Sequence, residues 1–313
     1  MNARTLYMSF ILGVCLSTAA YAAPLSSSAR TVIPSAVQQI VAVDYHALSN
    51  SEAAPALKDW LLPGGLQQLQ ASIATSGIHP DKDIDQITFV TYRGSAGRLY
   101  TIGIAQGSFR QKDFVQRMSS KGVKPTKYLL TYLYPIGSGM RLAFLDPSTI
   151  LFGDPAALRG AIEVRDSGAR SLAFNRTIDD LVADVQNAAA WVVLDQTATQ
   201  AVIRSSLGRG SSSSDYDIVM KRLLASDYEL NLGSGISSDL NFKAADSITA
   251  AAVASLLKAG MLYSKIGAGS TESMILDNTR IESSHDMIQM HFQLDDDVAN
   301  LLLKSRLISP IAR

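Results

Sequence analysis

The sequence predicts an α+β fold with two tandem repeats of mostly antiparallel sheet and helices packed on one side, following a ferredoxin-like theme. Two observations lead to this prediction. Short apolar, β-branched segments and glycine-rich turns alternate with helical segments along the chain, and the order of elements in residues 37–174 returns in residues 175–313. The repeats could pack as a pair or share one continuous curved sheet.

Residues 1–22 have the layout of a secretory signal peptide. Arg4 precedes an apolar run from Leu6 to about Leu16, and Ala20-Tyr21-Ala22 forms an A-x-A cleavage signal. The run is shorter than the roughly 20 residues of a membrane-spanning helix, although a retained anchor is the alternative. We therefore expect an exported protein, periplasmic or secreted. Residues 23–36 are small and polar without periodicity, which predicts a flexible leader.

The composition narrows the class of protein further. Cys15 is the only cysteine, so the exported chain has no disulfide and must rest on its own core. Cleavage removes Arg4 from 28 Lys and Arg and leaves 28 Asp and Glu, a near-neutral balance that argues against nucleic-acid binding. The alanine-rich segment 248–263 carries Lys258, so it predicts a buried helix, and no transmembrane segment is expected in the mature chain.

The first repeat begins with the strand QQIVAVDYHAL, residues 38–48. Helical segments 51–62 and 66–75 follow, and the strands 85–93 and 98–106 are joined by a Gly-Ser-Ala-Gly hairpin signal. A helix over 108–122 ends at a glycine suited to a left-handed terminus. Strands 128–135, 140–146 and 148–154 come next, and then a helix that starts at Pro155 with Asp154 as its cap.

The second repeat has the same order. The strand AAAWVVLDQTA, residues 188–198, runs into a helix, a break at GRGSSSS, another helix and the strands DYELNLGSG and SSDLNFKAA. A helix over 246–260, two strands and a helix over 297–307 complete it. Asp44 in VAVDY thereby falls opposite Asp195 in VVLDQ, and the second repeat lacks one short strand.

The stretch SSHDMIQMHFQLDDD, residues 283–297, raises the possibility of a metal site. In a strand over 285–294, His285 and His291 share one face but lie roughly 20 Å apart at 3.3 Å per residue, too far to chelate one ion. The three aspartates fit the start of the following helix, where the dipole favours carboxylates, and they lack calcium-loop spacing. No metal and no cofactor are expected.

Two other sets of residues are candidates for function. Asp44 and His46 at the end of the first strand, with Asp195, could serve as acid and base of a hydrolase. Tyr128, Leu130, Tyr132 and Tyr134 in YLLTYLYP would lie on one face of a single strand. An exposed tyrosine row suits a peptide, a glycan or a partner protein, although helices could instead cover it.

Residues 78–168 contain the phrases IHPDKDIDQITFV, GSFRQKDFVQRM and LAFLDPSTILFGDPAALRGAIEVRDSG. This part of the chain resembles a loose group of exported bacterial proteins of unknown function with duplicated α+β units. In that group G-x-F opens the helix after a hairpin, and D-x-x-T-x-x-x-G precedes a D-P-x-x-x-R-x-A-I helix. The resemblance implies location and architecture only. The matching positions are Gly107, Phe109, Asp146, Thr149, Gly153, Asp154, Pro155, Arg159, Ala161 and Ile162.

The leading functional hypothesis is a non-enzymatic envelope protein that binds an envelope protein, a lipid or a glycan, with Tyr128, Tyr132 and Tyr134 as the binding residues. The alternatives are a periplasmic hydrolase with a site near Asp44 and His46, and a soluble lipid or lipoprotein carrier. The carrier would need an apolar, uncovered face on its sheet.

Overall fold

The computed structural model describes residues 24–49, 71, 73–74, 76–94, 97–168, 170–207, 220–233, 235–265, 273 and 276–294. The strands are β1 (Val37–Asp44), β2 (Ile84–Arg93), β3 (Leu99–Gly107), β4 (Thr126–Tyr128), β5 (Thr131–Gly137), β6 (Met140–Asp146), β7 (Thr149–Gly153), β8 (Ala190–Asp195), β9 (Leu223–Gly233), β10 (Gly235–Ala244), β11 (Thr279–Ser284) and β12 (Met287–Leu294). The α-helices are α1 (Ser27–Val32), α2 (Tyr45–Ser49), α3 (Pro80–Asp83), α4 (Gln111–Ser120), α5 (Pro155–Asp166), α6 (Arg176–Val185), α7 (Gln196–Leu207) and α8 (Ser247–Lys265), with a 3-10 turn at Leu172–Phe174.

The strands form one 12-stranded sheet in the order β11-β12-β10-β9-β8-β1-β2-β3-β7-β6-β5-β4. Neighbouring strands pair antiparallel along this order. The predicted α+β class with a mostly antiparallel sheet is therefore confirmed, and of the two arrangements left open the continuous sheet is the one adopted.

The two halves of the sheet meet at the pairing of β1 with β8, which we call the seam. Val41 lies opposite Val192 and Ala42 opposite Trp191 across it. Outward from the seam, β1-β2-β3-β7-β6 on one side corresponds to β8-β9-β10-β12-β11 on the other. The hairpin β4–β5 extends the first half, and within the described residues it has no counterpart in the second.

Helices cover both faces of the sheet, whereas the sequence predicted helices on one face only. In β3, Ile102 and Ile104 pack with α1, α5 and α6, while Ala105 belongs to a second cluster on the opposite face with Phe114 of α4. In the second half, α7 and α8 cover a third cluster. Strand β7 is buried at every position, so it lacks the alternation that would have marked one wet face.

Local sequence signals explain the helices well. Asp154 accepts a hydrogen bond from the N–H of Ala156 at 2.8 Å ahead of Pro155, as predicted for the start of α5. In α6 the apolar side chains recur at helical spacing and all turn inward: Ile178, Leu181, Val182 and Val185. Helix α8 continues to Lys265, beyond the glycine at which it was predicted to end.

The prediction of a flexible leader over residues 23–36 is wrong for its described part. Residues Ser27–Val32 form α1, and Ser26 caps it by accepting from the N–H of Ala29 at 3.1 Å. Ala29, Val32 and Ile33 have no exposed surface. Their burial against the sheet and α5 stabilises a helix too short to show periodicity in the sequence.

Some predictions lie outside the described residues. These are the signal peptide, the helices over 51–62 and 297–307, most of the helix over 66–75, and the serine-rich break at 208–214.

Candidate functional site

A cleft of about 230 Å³ opens where the turn before α3 meets the start of α4. We call it the α4 cleft. Its floor is aromatic and its rim carries charges of both signs, the combination that commonly marks a binding site. The lining residues are Gly77, Ile78, His79, Asp83, Phe109, Arg110, Asp113, Phe114, Arg117 and Phe144.

The floor is a rigid cluster of rings in edge-to-face contact. The ring centroid of Phe114 lies 5.2 Å from that of Phe144 and 5.3 Å from that of Tyr134, with interplanar angles of 70° and 86°. Phe114 and Met118, one turn apart on α4, are both buried, because this face of an otherwise polar helix packs onto the sheet. Such ring pairs contribute roughly 0.5–1.5 kcal/mol beyond area burial.

Charged side chains alternate around the rim. Arg117 Nη1 donates to the carbonyl of Gly77 at 3.0 Å, and a carboxylate oxygen of Asp83 accepts from the N–H of His79 at 2.8 Å. Arg110 and Asp113 face each other at 3.9 Å, and both side chains are more than half exposed. The rim therefore offers cationic and anionic groups to a polar partner; ion pairs that stay at the solvated rim would contribute little affinity but would help to orient the partner.

Gly77 makes the approach of Arg117 possible. Its φ is +83°, and a Cβ built there would lie 1.7 Å from Arg117 Nη1. A larger residue would be strained at this positive φ, and its Cβ would displace the flexible guanidinium of Arg117 from the carbonyl of Gly77. The turn before α3 is thus fastened to α4, and this contact fixes one wall of the cleft.

The predicted row of three tyrosines on one face does not exist. The segment is a hairpin in which Leu129 and Leu130 form the turn, so Tyr128 pairs with Thr131 and Lys127 with Tyr132. Tyr128 faces the α5 side of the sheet, whereas Tyr132 and Tyr134 face the α4 side. Leucines carry no turn signal, which is why a single strand was predicted.

The three tyrosines consequently differ in environment. Tyr134 is 8% exposed and backs the rings of the cleft floor, while Tyr132 is 52% exposed. Tyr128 donates its hydroxyl to Glu163, and the guanidinium of Arg159 lies 5.3 Å from its ring centroid. The hydrogen bond to Glu163 raises the pKa of Tyr128, and burial raises that of Tyr134. Of the three predicted binding residues, Tyr134 packs against Phe114 behind the floor of the α4 cleft and does not line the cleft itself.

The hydrolase candidates are arranged differently from the prediction. His46 Nε2 lies 2.7 Å from Asp85, and the two side chains are 65% and 45% exposed. Asp44 is buried and accepts from the N–H of Ala47 at 2.6 Å, as the cap of the following helix. Asp85 was missed because it lies in another strand, 39 residues along the chain.

His285 and His291 are also placed differently. His285 sits in the turn between β11 and β12 with φ +53°, and not in the strand as predicted. His291 Nδ1 lies 2.6 Å from Asp239 across the β10–β12 pair. Among the residues whose positions are described, no three His, Cys, Asp or Glu side chains are arranged to hold a metal ion.

A polar face on the second half of the sheet carries close carboxylates. The pKa of Asp227 is raised to about 7, mainly because the carboxyl is buried. Asn241 donates to this carboxylate at 2.9 Å, which lowers the pKa, whereas the nearby charges of Glu229 and Asp184 raise it. Burial and then the charge of Asp239 raise the pKa of Glu229. The alternation in DYELN, residues 227–231, was the available signal, but Asp184 comes from a different element.

Comparisons with known proteins give only distant structural similarity. No protein-family model matches the chain, and no curated protein matches it. Crystal form I of TP0453 has a TM-score of 0.49 and 10% identity, covering 91% of this chain and 98% of that one. Form IV has a TM-score of 0.46 and 9% identity, covering 90% and 97%. Similarity at this level carries no argument about function. Within the described residues, helices long and apolar enough to cross a bilayer are absent.

Proposed function

We propose that the chain is an exported, non-enzymatic envelope protein that binds a partner protein through the α4 cleft. The partner would insert one large apolar side chain between Phe109 and Phe144 while its backbone and charged groups meet the rim. Export is supported by the signal-peptide layout of residues 1–22 and by the resemblance of residues 78–168 to exported proteins.

The observation that carries the proposal is a preformed aromatic floor beneath a rim of mixed charge. A volume of about 230 Å³ is smaller than the roughly 300–1,000 Å³ of pockets that enclose a drug-sized ligand. It suits a single side chain, and a buried aromatic or aliphatic anchor in such a pocket is the usual energetic centre of a protein interface. Phe109 of the G-x-F phrase also lies in the floor of the cleft.

A periplasmic hydrolase is the second candidate, and the contact between His46 and Asp85 favours it. A carboxylate 2.7 Å from a histidine can orient an imidazole as a general base. Both groups are largely in water, however, where such a pair contributes little beyond a surface ion pair. If His46→Ala abolishes hydrolysis of an ester, peptide or glycoside that the parent cleaves, this candidate replaces the binding protein.

The third candidate, a lipid carrier, finds less support. In the described part of the chain, helices pack on the main apolar clusters of the sheet. The polar face on the second half of the sheet carries the exposed side chains of Gln289, His291 and Gln293. Acyl chains cannot form hydrogen bonds with these groups, so they would bind this face poorly.

The binding proposal is tested by filling the cleft. Asp113 is exposed on the first turn of α4 and lines the cleft, so Asp113→Tyr places a ring over its mouth. Lys112→Tyr is the matched control, because this neighbouring exposed residue does not line the cleft. Residues 23–313 of the parent and both variants are immobilised, exposed to envelope extract and compared by quantitative mass spectrometry.

We expect a protein that the parent and Lys112→Tyr capture equally and that Asp113→Tyr captures at least tenfold less. A tenfold loss corresponds to roughly 1.4 kcal/mol of binding free energy. Circular dichroism establishes that both variants are folded. Equal capture of the same proteins by all three chains would overturn the assignment to this cleft.

A further inference from the structure

The tip of the β4–β5 hairpin combines exposed apolar side chains with lysines, and we propose that it docks onto the surface of an anionic lipid bilayer. Leu130 is 82% exposed, Tyr132 52% and Leu129 48%. Lys121, Lys124 and Lys127, all exposed, precede the tip. We call these six residues the hairpin patch. This inference does not rest on the α4 cleft or its partner.

The requirements of a hairpin turn do not explain why Leu129 and Leu130 occupy the β4–β5 turn. A two-residue hairpin turn favours Asn and Gly, since it needs positive φ, and here it is Leu-Leu with Leu129 at φ +50°. A leucine in this region is strained, and strain of this kind is typically retained where function requires the side chain. Leu130 is also largely in water and Leu129 is about half exposed, so burial in the core does not account for them either.

The chain segment that carries the tip has charges of one sign. From Phe114 to Leu145 the chain contains Arg117, Lys121, Lys124, Lys127 and Arg141 and no Asp or Glu. The near-zero net charge of the whole chain conceals this local excess. Lysines next to exposed apolar residues suit an anionic bilayer, where the ammonium groups meet lipid phosphates while the stems and neighbouring side chains enter the interface.

The hairpin is held at its base and free at its tip. Tyr128 is fixed to α5 by Glu163, and Arg165 Nη2 donates to the hydroxyl of Thr131 at 2.6 Å. Glu163, a carboxylate close to the hairpin, is thus already engaged by Tyr128. Strand β4 is the last strand at one edge of the sheet, so the turn can reach a flat surface without any rearrangement of the core.

Lysine on an edge strand also has an ordinary role, because it discourages edge-to-edge pairing of sheets. That role accounts for Lys127 in β4. It does not account for Leu129 and Leu130, which a protein avoiding association would replace by polar turn residues. The pairing of both features at one tip is therefore what points to a bilayer.

Co-sedimentation with vesicles tests the proposal. The full mature chain is mixed with vesicles of phosphatidylcholine alone or of phosphatidylcholine with phosphatidylglycerol. The first variant, Leu129→Asn/Leu130→Gly, installs a favoured turn and should fold at least as well as the parent. The second replaces Lys121, Lys124 and Lys127 by Gln.

We expect the parent to sediment with the anionic vesicles and not with the neutral ones. Both variants should bind the anionic vesicles at least about tenfold more weakly than the parent. Leu130→Trp should show a blue-shifted emission on anionic vesicles, whereas Ile248→Trp, at a position 81% exposed elsewhere, should not. Undiminished binding of Leu129→Asn/Leu130→Gly would overturn the proposal. Sedimentation with peptidoglycan in place of vesicles would also overturn it and would assign the patch to a glycan.

Discussion

Asp44 and Asp195 occupy equivalent positions on the two sides of the seam. Each is the last residue of its strand, and each accepts a hydrogen bond from the N–H three residues further on, that of Ala47 at 2.6 Å and that of Ala198 at 2.8 Å. The correspondence between VAVDY and VVLDQ in the sequence is thus repeated in the geometry. Both carboxylates act as helix caps, which is a structural role.

The capping role predicts a stability difference between two substitutions. Asp195→Ala should lower the free energy of unfolding by about 1 kcal/mol, because it leaves an N–H of the first turn without its acceptor. Asp195→Asn should lower it much less, since an amide oxygen can still accept. Urea denaturation measures both values. Equal losses for Ala and Asn would contradict the capping role.

The raised pKa of Asp227 predicts that stability depends on pH. The folded chain holds the Asp227 proton with a pKa of about 7, against an ordinary value of 3.8, so protonation favours folding. This contribution is complete below about pH 4 and is lost as the pH rises through 7. Thermal unfolding should therefore occur at lower temperature at pH 8 than at pH 5.

Asp227→Asn isolates this effect. The amide stays neutral, so the variant should be more stable than the parent at pH 8, by on the order of 2 kcal/mol, and should lose most of the slope between pH 5 and pH 8. Asp184→Asn removes one neighbouring charge and should flatten the slope only partly. Parallel profiles for the parent and Asp227→Asn would show that this carboxyl is not responsible.

The two tyrosines on the α4 side of the hairpin should differ sharply. Tyr134→Ala removes a buried ring from behind the floor of the cleft and should destabilise the protein by about 3 kcal/mol. Tyr132→Ala alters an exposed side chain and should change stability by no more than about 0.5 kcal/mol. Chemical denaturation of the two variants compares them directly, and a similar loss for both would place Tyr132 in the core.

Gly77 should tolerate alanine less well than a glycine with a similar backbone and open surroundings. Gly77→Ala suffers both the positive φ and the clash with Arg117, whereas Gly139→Ala, at φ +77° with no atom within 4 Å, suffers only the first. We expect a loss of roughly 1–3 kcal/mol for Gly77→Ala, larger than that for Gly139→Ala by about 1 kcal/mol, because the flexible guanidinium of Arg117 moves aside and only its hydrogen bond is lost. Adding Arg117→Ala to Gly77→Ala relieves the clash and serves as the control.

Local signals in the sequence predicted local structure. Most of the strands, the β2–β3 hairpin and the cap at Asp154 follow from patterns a few residues long, and the repeated element order placed Asp44 opposite Asp195. The β4–β5 turn was missed because Leu129 and Leu130 have no turn propensity. Helix α1 was missed because six residues show no period, and packing alone stabilises it.

Local sequence patterns could not predict the candidate site. The α4 cleft is assembled from the turn at Gly77, the start of α4 and Phe144 in β6, segments that become neighbours only when the sheet has formed. Likewise, His46 lies next to Asp85 because β1 and β2 pair. Contacts between distant segments depend on strand order and register, and neither has a signature within a single stretch of sequence.

The seam also has a consequence for how the chain folds. Val41 and Val192 pair directly, although 150 residues of chain separate them, so this ladder closes a long loop and forms late. Until β8 has been synthesised, β1 keeps an unpaired edge bearing Ile40, Val41 and Val43. A nascent chain that ends before β8 therefore exposes an apolar strand edge, and two separately made halves should be able to complement each other by restoring this one pairing.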